Sequence, residues 1–378
     1  MRGSITPHKG QPDTWRLQVY LGQDPATGRE RRKTKVFHGP RRQAEKALNE
    51  MVSSVGQEVT TPSSATVEYL LEEWLRFCRG KDLAVRTYDD YQWHAYHRLI
   101  PAIGSIPLNA LTVKDLDDLY AGLHAQGYSA STIRHAHAVI RLALGQAIRW
   151  GWIERNVARL ATLPRVAPAP VTAPSVEELQ AIMEEMAKSN PQFTAIIGLA
   201  ALTGARRGEL LGLHWNDIDL PHSLLWIRRG LNYTPATGVV VGPTKTKRER
   251  RVLLDSVGSS IVLVQQQMLT DACTKLMIKR ADNPWLFFGD VDGSKPLHPD
   301  SISAAFRRVA KKLDIEGIHF HSLRHFTATQ LIAAGVDIRT VSGRLGHANA
   351  SMTLGIYSHV LEAKDREAGE IMGRLLKP

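Results

Sequence analysis

The stretch HSLRHFTATQLIAAGVDIRTVSGRLGHANASMTLGIYSHV, residues 321–360, sets His321 three residues before Arg324 and His347 ten residues before Tyr357. At the start of a helix, a spacing of three puts His321 and Arg324 on one face, beside backbone N–H groups that favour an anion. Tyr357 lies in a run that alternates small polar and apolar residues. Alone, such a tyrosine reads as a half-buried helix residue with its hydroxyl on water.

Two segments upstream add to this. In TGARRGEL (203–210) Arg206 stands at the end of a turn with Glu209 three residues on, where a carboxylate can brace a guanidinium and fix its fork. A braced arginine suits two phosphate oxygens, because the planar fork matches oxyanion geometry. PTKTKRERR (243–251) carries five basic residues, from Lys245 to Arg251, against one acidic residue. Its Pro and Gly punctuation suggests a hairpin, from whose tip a lysine reaches a neighbouring groove and can protonate a leaving oxygen. A plain DNA-backbone patch including Lys247 and Arg248 is the other reading of that run.

Composition narrows the partners. The chain has 378 residues, 43% of them hydrophobic, which exceeds what one core normally supports and points to two or three domains. A formal net charge of +11 favours a polyanion, most simply nucleic acid, over a merely basic enzyme. Cys78 and Cys273, the two cysteines, are far apart and lack zinc-site spacing, so neither a disulfide framework nor a structural metal is expected. With no run of 18 apolar residues and no signal-peptide pattern at the start, the expectation is a cytoplasmic protein associated with DNA and not with membrane.

Patterning predicts a multidomain chain, mainly α with small β-sheets. In residues 1–60, WRLQVYL (15–21) and KTKVF (33–37) read as strands and RRQAEKALNEMVSSV (41–55) as a helix. Arg29, Arg31, Arg32, Lys33 and Lys35 concentrate charge on that sheet and are candidate phosphate contacts, a solvated face being the alternative. Residues 61–165 read as an all-α domain of four helices, followed by the proline-rich LPRVAPAPVTAPS (163–175). Residues 166–378 read as an α+β domain opening with the capping box SVEE. There LLWIRRG, GVVVGPTKTKRERRVLLD and WLFF are expected strands, and EAKDREAGEIMGRLL (362–376) a closing charged helix.

In order, Arg206, Lys245, His321, Arg324, His347 and Tyr357 resemble the site of the tyrosine recombinases, the phage integrase family, through TGARRGEL, PTKTK, HSLRH, RLGH and IYSHV. The T-G-x pattern selects Arg206 rather than Arg207. The resemblance spans about residues 60–378 and implies a C-shaped clamp of a core-site-binding helical domain and a catalytic domain. The N-terminal unit is similar, less specifically, to the arm-site-binding domain of larger integrases. The family likeness implies a metal- and ATP-independent integrase that cleaves and rejoins double-stranded DNA at attachment sites through a 3′-phosphotyrosyl intermediate. Arg206 and Arg324 would hold the phosphate, with Glu209 in support, and Lys245 would protonate the 5′-oxygen. His321 would assist proton transfer and His347 would donate a hydrogen bond. A homotetramer on synapsed DNA and DNA-bending accessory or directionality factors are the implied partners, and no cofactor is expected. Competing readings are a type IB topoisomerase-like relaxing enzyme and a catalytically inactive DNA-binding regulator.

Overall fold

The computed structural model describes residues 3–8, 13–23, 30–55, 65–81, 83–166, 172–245, 248–346 and 369–375. Contacts divide the chain into two compact units, Met1–Pro168 and Ala169–Pro378.

The first unit holds two separate cores. Strands β1 (Gly3–Pro7), β2 (Thr14–Gln23) and β3 (Glu30–His38) form an antiparallel sheet in the order β1-β2-β3, and helix α1 (Arg41–Val55) covers one face. Leu17, Val19, Ala44 and Met51 fill the space between sheet and helix. Residues opposite one another in an antiparallel pair share a face. The register Leu17↔Lys35 and Val19↔Lys33 therefore puts both lysines on the α1 side, whereas Tyr20↔Arg32 and Gln18↔Thr34 occupy the open side. The expected basic sheet surface is thus split between two faces, and Arg32 is paired with Glu30.

The second core belongs to helices α2 (Val67–Arg79), α3 (Val85–His94), α4 (Ile100–Ile103), α5 (Val113–Ala125) and α6 (Ala130–Arg149), with a π-helical turn at Ala95–Leu99 joining α3 to α4. Polar caps start these helices where the sequence offers them. The hydroxyls of Thr66 and Ser129 accept from the backbone of Tyr69 and Thr132, and Thr112 forms a reciprocal box with Asp115.

In the second unit come α7 (Val176–Ala187), α8 (Pro191–Thr203), α9 (Arg207–Leu211), strands β4 (Ile218–Asp219), β5 (Leu224–Ile227), β6 (Arg229–Thr234), β7 (Gly238–Pro243) and β8 (Arg250–Leu253), then α10 (Ser256–Leu276), α11 (Pro299–Lys312), α12 (Ser322–Ala333) and α13 (Ile338–Leu345). Ser175 and Glu178 make the box expected of SVEE. The core gathers α7, α8, α9 and α11 around Ile196, Leu199, Leu210, Phe287 and Phe306.

Three strand expectations change. LLWIRRG breaks at Arg228 into β5 and β6, which lie in different sheets, β4-β5-β8 and β6-β7. The 238–255 segment is accordingly no hairpin: β7 pairs with β6 and β8 with β5. WLFF makes only isolated bridges, His214↔Trp285 and Phe288↔Pro296, because Leu286 and Phe287 are drawn wholly into the core. Helix α10 has no counterpart among the sequence expectations. Its first turns, rich in Ser, Val and Gly, are weak helix formers, and the Asp255 cap with burial of Val262, Leu269 and Cys273 holds it instead.

Candidate active site

The site is built where the end of α8, the start of α12 and the end of α13 meet. Thr203, fully buried, donates its hydroxyl to Leu199 O (2.6 Å) and accepts the Ala205 N–H (3.2 Å), closing the turn after α8. Gly204 in that turn has φ +64°, and a Cβ there would lie 2.3 Å from Leu345 Cδ2. Both the left-handed backbone and the approach of α13 call for glycine. Its carbonyl, together with that of Leu345, accepts from Arg324 Nη1 at 2.8 and 2.6 Å.

Arg206 is the N-cap of α9 and Glu209 its third residue. The Arg206 N–H donates to Glu209 Oε2 (2.9 Å), its Nη1 to Oε1 (2.8 Å) and its Nη2 to Gly346 O (3.4 Å). Gly208 lets α9 sit on β6, since a Cβ would meet Leu231 O at 2.4 Å. The neighbouring Arg207 turns away to Ser303 Oγ (2.6 Å) and Asp300 Oδ1 (3.3 Å). The Arg206 side chain keeps 22% of its surface on solvent, whereas Arg324 keeps 3%. Arg206 is therefore the more accessible guanidinium.

His321 precedes α12 and is exposed, although its ring faces a crowded set of cationic and histidine side chains. Its ring lies 5.2 Å from that of His325 and 6.3 Å from that of His319. Loss of hydration first, then the positive neighbours His325, Arg324, His319 and Arg206, hold its pKa down to about 4.

Lys245 is exposed in the connection between β7 and β8. Thr244, buried, ties that connection: its hydroxyl donates to Arg248 O (2.8 Å) and accepts the Arg248 N–H (3.1 Å). Lys245 thus sits in a cross-connection between sheets, not at a hairpin tip.

Among the candidates, Arg206, Glu209, Arg324 and His321 converge. Lys247, His347, Tyr357 and Arg29 lie outside the described residues, and Arg31, Arg32, Lys33 and Lys35 are on β3. Arg250 is drawn in beside them, donating through Nη1 and Nη2 to Glu209 Oε1 (3.2 Å) and Oε2 (2.7 Å) and through Nε to Arg344 O (2.9 Å). Arg344 Nη2 bonds Leu202 O at 2.8 Å. Two guanidinia, Arg206 and Arg250, thus share the Glu209 carboxylate, while Arg324 and Arg344 are held by backbone carbonyls, a setting suited to an anionic guest. In the basic run Arg250 had no distinguishing mark except parity: two residues before the core-facing Val252, it shares the inward face of β8. Burial pushes the Glu209 carboxyl up, but the hydrogen bonds and charge of Arg250, with those of Arg206, bring it below the usual carboxylate range.

An α+β unit whose arginines converge on one carboxylate and the carbonyls beside it defines a site for an anionic group such as a phosphate. Residues 173–364 match the phage integrase family and residues 66–124 the phage integrase N-terminal SAM-like domain, so the chain belongs to the phage integrase family. It is a tyrosine recombinase, a site-specific recombinase of the mobile-element kind. An integrase of Streptomyces ambofaciens is 27% identical over 339 residues, 84% of this chain and 82% of that protein. The ICEBs1 integrase of Bacillus subtilis is 22% identical over 96% of this chain and 97% of its own. Two solved structures share the fold. The Tn1549 transposon integrase in complex with a circular intermediate DNA has a TM-score of 0.67 at 19% identity, over 81% of this chain and all of that one. The lambda integrase tetramer bound to a Holliday junction has a TM-score of 0.56 at 18% identity, over 92% and 94%. Among the described residues, no helix is long and apolar enough to cross a membrane.

Proposed function

We propose that this integrase cleaves and rejoins double-stranded DNA by attack of Tyr357 on a phosphodiester held by Arg206 and Arg324. What carries the reading is the convergence of these two arginines: their guanidinia bond carbonyls of adjacent residues, Leu345 and Gly346, although they start from helices 118 residues apart in the chain (206 to 324). The segment they bond leads directly into His347 and on to Tyr357.

A phenol of pKa near 10 is a weak nucleophile at neutral pH, so the barrier must fall by other means. Arg206 and Arg324 offset the charge growing on the non-bridging oxygens of the phosphorane. His321, neutral at pH 7, takes part in proton transfer, and His347 donates a hydrogen bond to the phosphate. Lys245 protonates the departing 5′-oxygen, leaving a 3′-phosphotyrosyl ester. The ester conserves the bond for attack by a partner strand's 5′-hydroxyl, so neither ATP nor a metal ion is needed. Glu209 braces Arg206. Residues 61–165 bind the core site, and the sheet of residues 1–60 binds a second, arm-type DNA site through Lys33 and Lys35, which share one face. A homotetramer assembles on synapsed attachment sites, with accessory bending or directionality factors, and the protein works in the cytoplasm on the nucleoid.

The test is Tyr357→Phe, which removes only the attacking oxygen. DNA affinity should stay within about threefold while the SDS-stable protein–DNA adduct disappears. A variant that still forms phosphotyrosyl DNA defeats the assignment.

A further inference from the structure

Glu209 creates an electrostatic problem for the site. A buried carboxylate paired only with Arg206 would cancel the charge that Arg206 has to present to a phosphate. Here each carboxylate oxygen accepts from both arginines. Oε1 takes Arg206 Nη1 (2.8 Å) and Arg250 Nη1 (3.2 Å), and Oε2 takes the Arg206 N–H (2.9 Å) and Arg250 Nη2 (2.7 Å). Arg250 grips the carboxylate end-on with both terminal nitrogens, the strongest geometry for such a pair.

The third nitrogen of Arg250 is also committed, to Arg344 O at 2.9 Å. Gly346 packs directly on the guanidinium: φ is +70° there, and a Cβ would lie 2.7 Å from Arg250 Nη1. With its side chain only 9% exposed and all three nitrogens engaged, Arg250 is not placed to touch a substrate itself. It stands at the start of β8, at the end of the connection that carries Lys245, so one side chain joins three pieces: the Arg206–Glu209 turn, the Lys245 connection and the backbone leading into His347.

We propose that Arg250 is a positioning residue for strand cleavage: it neutralises Glu209 so that the charge of Arg206 is available to the scissile phosphate, and it fixes the 344–346 turn against that arginine. This rests on the phosphate-binding role assigned to Arg206 above. Removal of Arg250 leaves Arg206 partly cancelled by Glu209, so the loss should appear wherever the phosphate carries charge and shrink where it does not.

The experiment uses the full chain and a duplex from an element–host junction, its cleavage position first mapped by adduct formation with the unaltered protein. Arg250→Met should slow adduct formation about tenfold or more, with gel-shift affinity within about threefold. On the same duplex with an uncharged methylphosphonate at the scissile position, the deficit should narrow to about threefold or less, as it should for Arg206→Ala. Arg250→Lys keeps charge but cannot bridge Glu209 and Arg344 O together, and should be intermediate. If Arg250→Met fails to fold, Arg250→Lys decides, and full speed on the charged duplex overturns the proposal. An equal deficit on both duplexes, or cleavage and binding falling together, likewise overturns it. An adduct from Tyr357→Phe, or no methylphosphonate rescue of Arg206→Ala, defeats the reading of the site rather than the role of Arg250.

Discussion

Arg206 and Arg207 are adjacent and chemically identical, yet one enters the site and the other ties α9 to α11 through Ser303 and Asp300. Position relative to the N-cap decides this, since the cap residue turns back over its own third residue, Glu209. Lys245 differs from both in being exposed on a connection closed by Thr244. If it is the general acid, Lys245→Ala should be slow on ordinary DNA and largely rescued by a 5′-bridging sulfur, which leaves without protonation. Equal impairment on both substrates makes it a backbone contact and turns attention to Lys247. His321 gives a pH prediction. With a folded pKa of about 4 against an ordinary 6.5, the unfolded chain takes up the proton first as pH falls. The associated stability, small because the exposed ring is screened by water, is whole above about 6.5 and is lost as pH falls through 4. In the free protein its Cε1–H resonance should titrate with a midpoint near 4, and a midpoint near 6.5 contradicts the lost hydration and neighbouring positive charge described for it.

At the scale of elements, the site depends on helix ends. Helix α8 stops at Gly204 and α13 at Gly346, both left-handed, and the two stops hand their carbonyls to Arg324 and Arg206. An L-residue at Gly204 meets backbone strain and the Leu345 side chain together. Gly204→Ala should therefore cost about 1–3 kcal/mol in urea unfolding and slow cleavage more than it weakens DNA binding. Unchanged stability contradicts the close approach of α13. The strands act differently: β8 contributes one inward arginine to the site while its partner β5 supplies core through Leu225 and Ile227.

For the whole molecule, the closing segment beyond Tyr357 mixes acidic, basic and apolar residues. Its described part, residues 369–375, is helical and exposed, with Ile371, Met372 and Leu375 on the surface. Exposed apolar side chains on a terminal helix favour docking on another surface. Docking on a neighbouring protomer would couple assembly to the placement of Tyr357. Truncation after Val360 should leave single-site gel-shift affinity within about threefold while recombination between two sites falls about tenfold or more. A parallel loss of both makes the tail part of its own subunit, and no change makes it dispensable.

Local chemistry alone made much of this legible. The Ser175 capping box and the helical periods of residues 66–153 depend on neighbours within a turn or two, where spacing dictates geometry, as does the bracing of Arg206 by Glu209 in TGARRGEL. Pairing and partnership were not local. That β7 turns back on β6 and leaves Lys245 on a cross-connection, that WLFF is core without being a strand, and that α10 is a helix at all depend on which surfaces are buried by distant segments. Arg250 shows the limit most clearly. In sequence it is one cation among five, and it acquires a role only because Glu209, 41 residues earlier, and Arg344, 94 residues later, are brought to its guanidinium, where burial strengthens a charge pair that water would screen.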